Sequence, residues 1–163
     1  MTQPRRVPLP WTRSCFVCGE ANPQGLQARC FKVGDEIEMP FVARSQHTGW
    51  DGVLHGGLIA TVLDEVMTWA AIVGSRRACY AADFGVRLLR PLPPGASCVA
   101  VARLRQSRRR IFDTEAELRG EAGEIYSRST GRYMPVPDDQ LGALRGDLVR
   151  SEDCLSLDAL FDG

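Results

Sequence analysis

The sequence of 163 residues has almost no lysine, since Lys32 is the only one, and it contains only two histidines. Arginine therefore supplies nearly all of the positive charge, and the formal net charge is zero. With a net charge of zero, nothing global argues for nucleic acid or an anionic membrane, and we expect neither as a partner. Residues 1–11 lack the apolar core of a signal peptide, and no stretch reads as the ~20 apolar residues of a membrane span. We therefore expect a cytoplasmic protein.

The cysteines do not form the pattern of a disulfide-rich protein. Six of them are scattered through a chain that is 44% hydrophobic and so has the apolar content for its own core. Cys15 and Cys18 have the spacing of a zinc-binding pair, but tetrahedral zinc needs four ligands and no second pair of this kind follows. We expect no metal and no redox cofactor, and we expect the two thiols to fill apolar space beside Phe16 and Phe31.

Strand and turn signals divide the chain into three parts. Residues 1–14 are rich in proline and arginine, which predicts an irregular arm, and residues 138–163 are predicted to be an acidic tail with a short amphipathic helix near residues 155–161. The domain, residues 15–137, contains one long predicted helix at residues 57–73. The predicted strands cover residues 26–33, 37–42, 78–89, 98–106, 111–118 and 125–134. This order predicts an α+β fold in which the helix lies against one antiparallel sheet.

The start of the long helix has the pattern of a catalytic site. His55-Gly56-Gly57 precedes an apolar run that is interrupted by two adjacent acids, Asp64 and Glu65. Glycine lets the backbone approach a ligand closely, and a helix N-terminus presents free N–H groups and a positive dipole end to an electron-rich oxygen. A carboxylate two turns along the same helix is predicted to act on the same atom. An unpaired charge inside such an apolar run is costly, which favours a functional role.

Helical geometry separates the two acids. At ~100° per residue, Asp64 shares a stripe with Thr61 and Thr68, whereas Glu65 falls among apolar residues such as Trp69. The face of small and hydroxyl residues is where a substrate or a second chain can approach. We therefore predict Asp64, rather than Glu65, as the catalytic carboxylate.

These residues resemble the hotdog-fold acyl-CoA thioesterases of the phenylacetate-degradation (PaaI-like) branch. The resemblance covers residues 15 to about 137, and its most specific part is Gly52-Val53-Leu54-His55-Gly56-Gly57 followed by Leu63-Asp64-Glu65. Supporting parts lie at residues 15–19, 22–26, 84–91 and 95. The resemblance implies a hotdog fold, in which an antiparallel sheet wraps one long helix. It also implies dimers that join their sheets edge to edge, often paired into tetramers, with active sites at the interface.

The same resemblance implies roles for the residues near the helix start. The backbone N–H that matches Gly57 polarises the thioester carbonyl, and the residue that matches His55 orients that loop. The carboxylate nine residues after the histidine, here Asp64, acts as general base or nucleophile. Glu65 is the second catalytic candidate, although pairing with an arginine across the subunit interface suits it better. The substrate is expected to contact three residues on the small face: Gly56, Thr61 and Thr68.

Two parts of the family pattern differ in this chain. Some relatives carry Asn or Gln several residues before the His-Gly-Gly, where this chain has Gln46 and His47, and we assign these two residues to hold water or substrate. Relatives also carry Ser or Thr at the start of the strand after the helix, where this chain has Ala81 and Ala82.

A run of three arginines lies in a predicted turn between two strands. It is either a solvated turn or a contact for the phosphates of coenzyme A, because arginine's planar fork suits phosphate. The residues with this predicted role are Arg87, Arg90, Arg108, Arg109 and Arg110.

The leading functional prediction is an acyl-CoA thioesterase that needs no cofactor beyond the coenzyme A of its substrate and assembles as a homodimer or a dimer of dimers. One alternative is a hotdog-fold hydratase or dehydratase of enoyl or hydroxyacyl thioesters. The other is a non-catalytic module that binds acyl-CoA. The sequence leaves the acyl group open between aryl and aliphatic chains, and it leaves open a carrier protein in place of coenzyme A.

Overall fold

Helix α1, Gly56–Ser75, runs through the centre of the computed structural model, which describes residues 5–161. Its inward residues include Val62, Leu63 and Val66, which are completely buried against the sheet. Gly74 permits close packing near the helix end, because a Cβ there would lie 2.6 Å from Leu104 Cδ2. Arg76 ends the helix in the left-handed conformation, with φ 57°.

Seven antiparallel strands form the main sheet around α1, in the order β1-β3-β4-β8-β9-β10-β7. Two short two-stranded sheets, β2 with β11 and β5 with β6, complete the strand pairing of the described residues. The strands are β1 (Arg6–Pro8), β2 (Trp11–Thr12), β3 (Phe31–Val33), β4 (Glu36–Val42), β5 (Thr48–Trp50), β6 (Val53–Leu54), β7 (Cys79–Leu88), β8 (Ser97–Ser107), β9 (Phe112–Gly120), β10 (Ile125–Pro135) and β11 (Leu148–Val149). This architecture confirms the predicted α+β fold, and the predicted helix and the four long strands after it agree with the observed ones to within a few residues.

Within residues 5–14, the part of the predicted irregular arm that the structure describes, there are two short strands. Strand β1 pairs with β3 at the edge of the main sheet, where the missing N–H of Pro8 costs no ladder hydrogen bond. Leu9 follows it into the core and is 1% exposed. The proline signal was therefore misread, because an edge strand tolerates proline where a central strand does not.

The C-terminal residues also pack onto the domain. Helix α2, Asp138–Asp147, was not predicted, whereas the short helix α3, Leu157–Leu160, lies within the predicted range. Leu160 and Phe161 are buried in the same core as α1. Five partly buried leucines between residues 141 and 157 also pack against this core, and β11 pairs with β2, so the segment is attached along its length although its composition is acidic.

The sequence-based statement that no stretch approaches a membrane span was wrong. By length and composition alone, α1 is apolar enough to cross a membrane, with a mean hydropathy of 1.5. Half of that window is buried within the fold, and a core helix passes the same test.

Candidate active site

His55 closes the N-terminus of α1 with its own side chain. Its Nδ1 accepts the Gly57 N–H at 2.9 Å, and its carbonyl oxygen accepts the Leu58 N–H at 3.0 Å. The imidazole therefore acts as an N-cap and satisfies one of the free donors of the first turn. The prediction that the Gly57 N–H polarises a substrate carbonyl needs revision, because His55 already occupies that donor.

Gly56, one residue earlier, provides the available donor. No acceptor for the Gly56 N–H occurs between residues 5 and 161, and the residue is partly exposed at the helix start. A Cβ at Gly56 would lie 2.7 Å from Leu88 Cδ1 on β7, so glycine gives the backbone room beside that strand. The free N–H at the positive end of the helix dipole is suited to bind an electron-rich oxygen.

Asp64 is half-buried on the face of α1 that meets β10. Its Oδ1 accepts a hydrogen bond of 2.7 Å from the hydroxyl of Tyr133. Burial raises the pKa of the Asp64 carboxyl, and the Tyr133 hydrogen bond lowers it in part. The result is a carboxylate that is oriented by a partner and is more basic than an exposed aspartate.

Tyr133 is the functional residue that sequence reasoning missed. It lies 69 residues from Asp64 in the chain and is completely buried. Ser127, Ser129 and Tyr133 are buried at alternate positions of β10 and so lie on the sheet face that meets the helix. A strand alternation of this kind predicts that Tyr133 points toward the helix, but it does not predict which helix residue it contacts.

Thr61 and Thr68 lie one turn on either side of Asp64, as the helical stripe predicted. Their hydroxyls donate to the helix backbone, to Gly57 O at 3.0 Å and to Asp64 O at 2.9 Å. Each oxygen keeps lone pairs to accept a further hydrogen bond.

The predicted cooperation of the helix start with Asp64 of the same chain fails on distance. A rise of about 1.5 Å per residue places Gly56 and Asp64 roughly 12 Å apart along α1. One carbonyl group cannot contact the Gly56 N–H and the Asp64 carboxylate of a single helix. The two halves of the predicted machinery are therefore separated within this chain.

A cleft of about 630 Å³ lies beside the helix start. It brings together four of the predicted site residues: Gln46, His47, His55 and Thr61. The opposite wall comes from the loop that precedes β3, through Phe16 and residues 23–25. The family resemblance included this loop but predicted no role for it.

His47 is fixed to the helix start through the backbone. The His55 N–H donates to the His47 carbonyl oxygen at 2.8 Å, and His47 Nδ1 accepts the Arg44 N–H at 3.3 Å. Burial, and then the charge of Arg44, lower the pKa of the His47 imidazole. Both His47 and the exposed Gln46 line the cleft.

The predicted phosphate-binding arginines do not form one group. The Arg109 carbonyl accepts a hydrogen bond from Arg77, which follows the C-terminal end of α1, so Arg108, Arg109 and Arg110 lie at the opposite helix end from His55. Arg108 also pairs with Asp113 at 3.6 Å. Arg87 lines a separate charged groove on the sheet, with Glu115 and Arg128 among its other residues.

Arg90 belongs to a segment that is hydrogen-bonded to the chain just before the helix start. Its backbone N–H donates to Tyr126 O, and two residues later the Leu92 carbonyl accepts the Leu54 N–H at 2.8 Å. Leu54 directly precedes His55.

Glu65 faces away from Asp64, and its predicted pairing with an arginine across a subunit interface stays a prediction. Its Oε1 accepts the Trp69 Nε1–H at 3.1 Å. Its carboxylate lies with the sulfurs of Cys15 and Cys18, and the ligand atoms of these three residues are all within 4.8 Å of one another. The prediction that the two thiols fill apolar space beside Phe16 was therefore incomplete, because a half-buried carboxylate shares that space.

Known proteins of the thioesterase superfamily are similar to this chain in sequence and in fold. Residues 51–126 match the family model of the thioesterase superfamily. A solved thioesterase superfamily protein is 23% identical, with a TM-score of 0.70, and the match covers 75% of this chain and 60% of that one. The chain thus spans less than two thirds of that relative. The comparison with curated proteins found no match.

Two further solved structures have the same fold. The PaaI protein from the phenylacetic acid degradation operon of E. coli is 16% identical, with a TM-score of 0.65 over 72% of this chain and 86% of that one. A Streptococcus mutans protein solved with acetyl-CoA bound is 12% identical, with a TM-score of 0.59 over 63% of this chain and 82% of that one. These findings confirm the hotdog fold and the resemblance to the thioesterase superfamily.

Proposed function

We propose that this chain, which has the hotdog fold and matches the thioesterase superfamily over residues 51–126, is an acyl-CoA thioesterase. The reaction converts an acyl- or aryl-CoA thioester and water to a carboxylic acid and coenzyme A. The observation that carries the proposal is the half-buried Asp64 carboxylate, which Tyr133 holds at 2.7 Å on the small-residue face of α1.

Asp64 serves as the base of the reaction. It takes a proton from a water molecule while the water oxygen attacks the carbonyl carbon of the thioester. The proton then passes to the sulfur as the carbon–sulfur bond breaks, so the products are the acid and a free thiol. Burial supports this role, because it raises the pKa of the Asp64 carboxyl toward that of a useful base. Direct attack by the carboxylate, followed by hydrolysis of the anhydride, uses the same position.

The Gly56 N–H serves as the donor to the carbonyl oxygen. That oxygen gains negative charge in the transition state, and a preorganised backbone donor there contributes about 3–4 kcal/mol. The unpaired state of this N–H and its place at the helix start support the assignment. His55 keeps the turn in shape through its bond to the neighbouring Gly57 N–H.

A second copy of the chain completes the site. Because Gly56 and Asp64 of one helix lie roughly 12 Å apart, the acid that serves one Gly56 belongs to a partner chain. Strand β7 supports this arrangement, because its ten residues form an unpaired sheet edge on which Tyr80 and Leu88 are 50% and 53% exposed. A long apolar edge of this kind is normally covered by another strand.

Coenzyme A is the proposed carrier of the acyl group. The Streptococcus mutans structure has acetyl-CoA bound on the same fold, which supports this class of ligand. Of the predicted arginines, we assign Arg90 to meet a phosphate near the helix start, because its segment is bonded to the residue before His55, whereas Arg108, Arg109 and Arg110 lie near the other end of α1.

The test measures free thiol released from a panel of short, medium, long and aryl acyl-CoAs. Asp64→Asn is expected to lower the rate by about 10²–10⁴, since that is the usual contribution of a positioned base. The matched control is Asp35→Asn, the same change in the exposed turn between β3 and β4, and it should leave the rate unchanged.

Two results would contradict the proposal. If Asp64→Asn keeps full activity while Glu65→Gln abolishes it, the other face of α1 carries the chemistry. If wild type and Asp64→Asn show equal, negligible rates across the panel but bind acyl-CoA saturably, the chain is an acyl-CoA-binding module.

A further inference from the structure

Cys15, Cys18 and Glu65 form a ligand group apart from the Asp64 site. Their two sulfurs and one carboxylate oxygen lie within 4.8 Å of one another, and Cys18 is 3% exposed. The residues come from two separate parts of the chain, the loop before β3 and the helix α1. Two sulfurs and a carboxylate oxygen are donors that Zn²⁺ accepts.

The loop around the cysteines is folded tightly enough to place both sulfurs on one side. The Gly19 N–H donates to the Cys15 carbonyl at 2.9 Å, and the Val17 N–H donates to Cys15 Sγ at 3.3 Å. A Cβ at Gly19 would lie 2.5 Å from Arg13 O and 2.6 Å from Cys15 N, so only glycine fits there. Backbone N–H groups that point at a sulfur stabilise its thiolate form, which is the form that binds metal.

The carboxylate of Glu65 is also oriented from behind. Trp69, one helical turn further along, donates its Nε1–H to Oε1 at 3.1 Å. Hydrogen bonds of this kind, from a fixed neighbour to a ligand side chain, are typical of metal sites.

We propose that Cys15, Cys18 and Glu65 hold a Zn²⁺ that ties the loop before β3 to helix α1. The group supplies three protein ligands, and a water molecule takes the fourth tetrahedral position. The tied loop forms the wall of the cleft at Phe16 and residues 23–25. The proposal does not depend on thioester hydrolysis.

The experiment counts the zinc that the full chain retains. The reduced protein is stripped with a chelator, given Zn²⁺ alone, desalted and analysed for metal and for affinity by competition with a coloured chelator. Wild type is expected to retain about one Zn²⁺ per chain, whereas Cys15→Ala and Cys18→Ala lose it. Glu65→Gln should weaken binding at least about tenfold. The matched control is Cys98→Ala on β8, a buried cysteine outside the group, which should bind like wild type.

Cobalt gives a second measurement on wild type that does not need a variant to fold. Co²⁺ in a site with two thiolates shows thiolate-to-metal charge transfer and the strong visible bands of tetrahedral coordination. The proposal is overturned if wild type retains no Zn²⁺, or if its Co²⁺ spectrum lacks the thiolate band. It is also overturned if folded Cys15→Ala, checked by circular dichroism, binds zinc as wild type does.

Discussion

Asp64 and Glu65 are neighbours in the chain, yet they lie on two faces of α1 with different surroundings. Asp64 faces β10 and the small-residue stripe, where Tyr133 is its hydrogen-bonding partner. Glu65 faces Trp69 on the same helix and Cys15 and Cys18 in the loop before β3. Two adjacent acids of one helix therefore lie in different chemical surroundings, and the proposed thioesterase site uses only the Asp64 face.

Loss of the N–H donor at the helix start is expected to remove most of the proposed thioesterase activity. Gly56→Pro deletes the free N–H at the first helical position, where proline is tolerated, and the extended backbone of His55 suits a following proline. The rate of thiol release should fall about 10²–10³, as it does when one oxyanion donor is lost. Gly56→Ala is the control, because it keeps the N–H and adds the same contact with the flexible Leu88 tip.

Mixing the two inactive chains then asks whether the Asp64 face is completed by a partner. Gly56→Pro and Asp64→Asn, co-expressed with different tags, should form mixed dimers in which one site has both intact groups. A random mixture should recover about a quarter of the wild-type rate, because half of the dimers are mixed and each has one working site of two. No recovery in purified mixed dimers would show that both groups act within one chain.

The Glu65 face is expected to control stability rather than rate. Burial raises the Glu65 pKa from 4.5 to about 7, so the folded state binds a proton that the unfolded state has already released between these pH values. Glu65 therefore does not lower the free energy of unfolding of wild type below pH 4.5. That free energy falls as the pH rises from 4.5 through about 7, where the buried carboxyl ionises. Without metal, Glu65→Gln should therefore gain stability relative to wild type across this window, by about 3 kcal/mol.

The measurement is urea unfolding of both proteins from pH 4.5 to 8 in the presence of a chelator. The difference between the two free energies of unfolding isolates Glu65, since all other groups are shared. A difference that is flat with pH would contradict the raised pKa. With Zn²⁺ added, the sign should reverse, because the metal requires the ionised carboxylate that glutamine cannot supply.

The sequence predicted the fold because its signals are local and strong. The apolar run of α1 and the alternation of more and less buried residues in β9 and β10 each specify an element without knowledge of its neighbours. The face of Asp64 was predictable for the same reason, since it follows from helical geometry alone. The prolines led to a wrong prediction of irregular backbone at β1, because the sequence does not show that this strand lies at a sheet edge.

The site was less predictable because its contacts join distant parts of the chain. Glu65 meets Cys15 across 50 residues, and Tyr133 meets Asp64 across 69. The exchange of roles between Gly56 and Gly57 depends on which N–H the His55 ring accepts. Motif spacing cannot decide that, because both glycines lie in the same turn.

The smallest expected effect concerns the partner of Asp64 itself. Tyr133→Phe removes the hydroxyl that lowers the Asp64 pKa, so that pKa should rise further. The acid limb of the pH profile of kcat/KM should move to higher pH, while kcat/KM at pH values well above that limb changes little. Tyr126→Phe is the control, because it removes a β10 tyrosine hydroxyl that is bonded to Glu124 at 3.0 Å instead. If the role of Tyr133 is purely structural, Tyr133→Phe should lower the free energy of unfolding without moving the acid limb of the pH profile. Burial alone would then shift the pKa of Asp64.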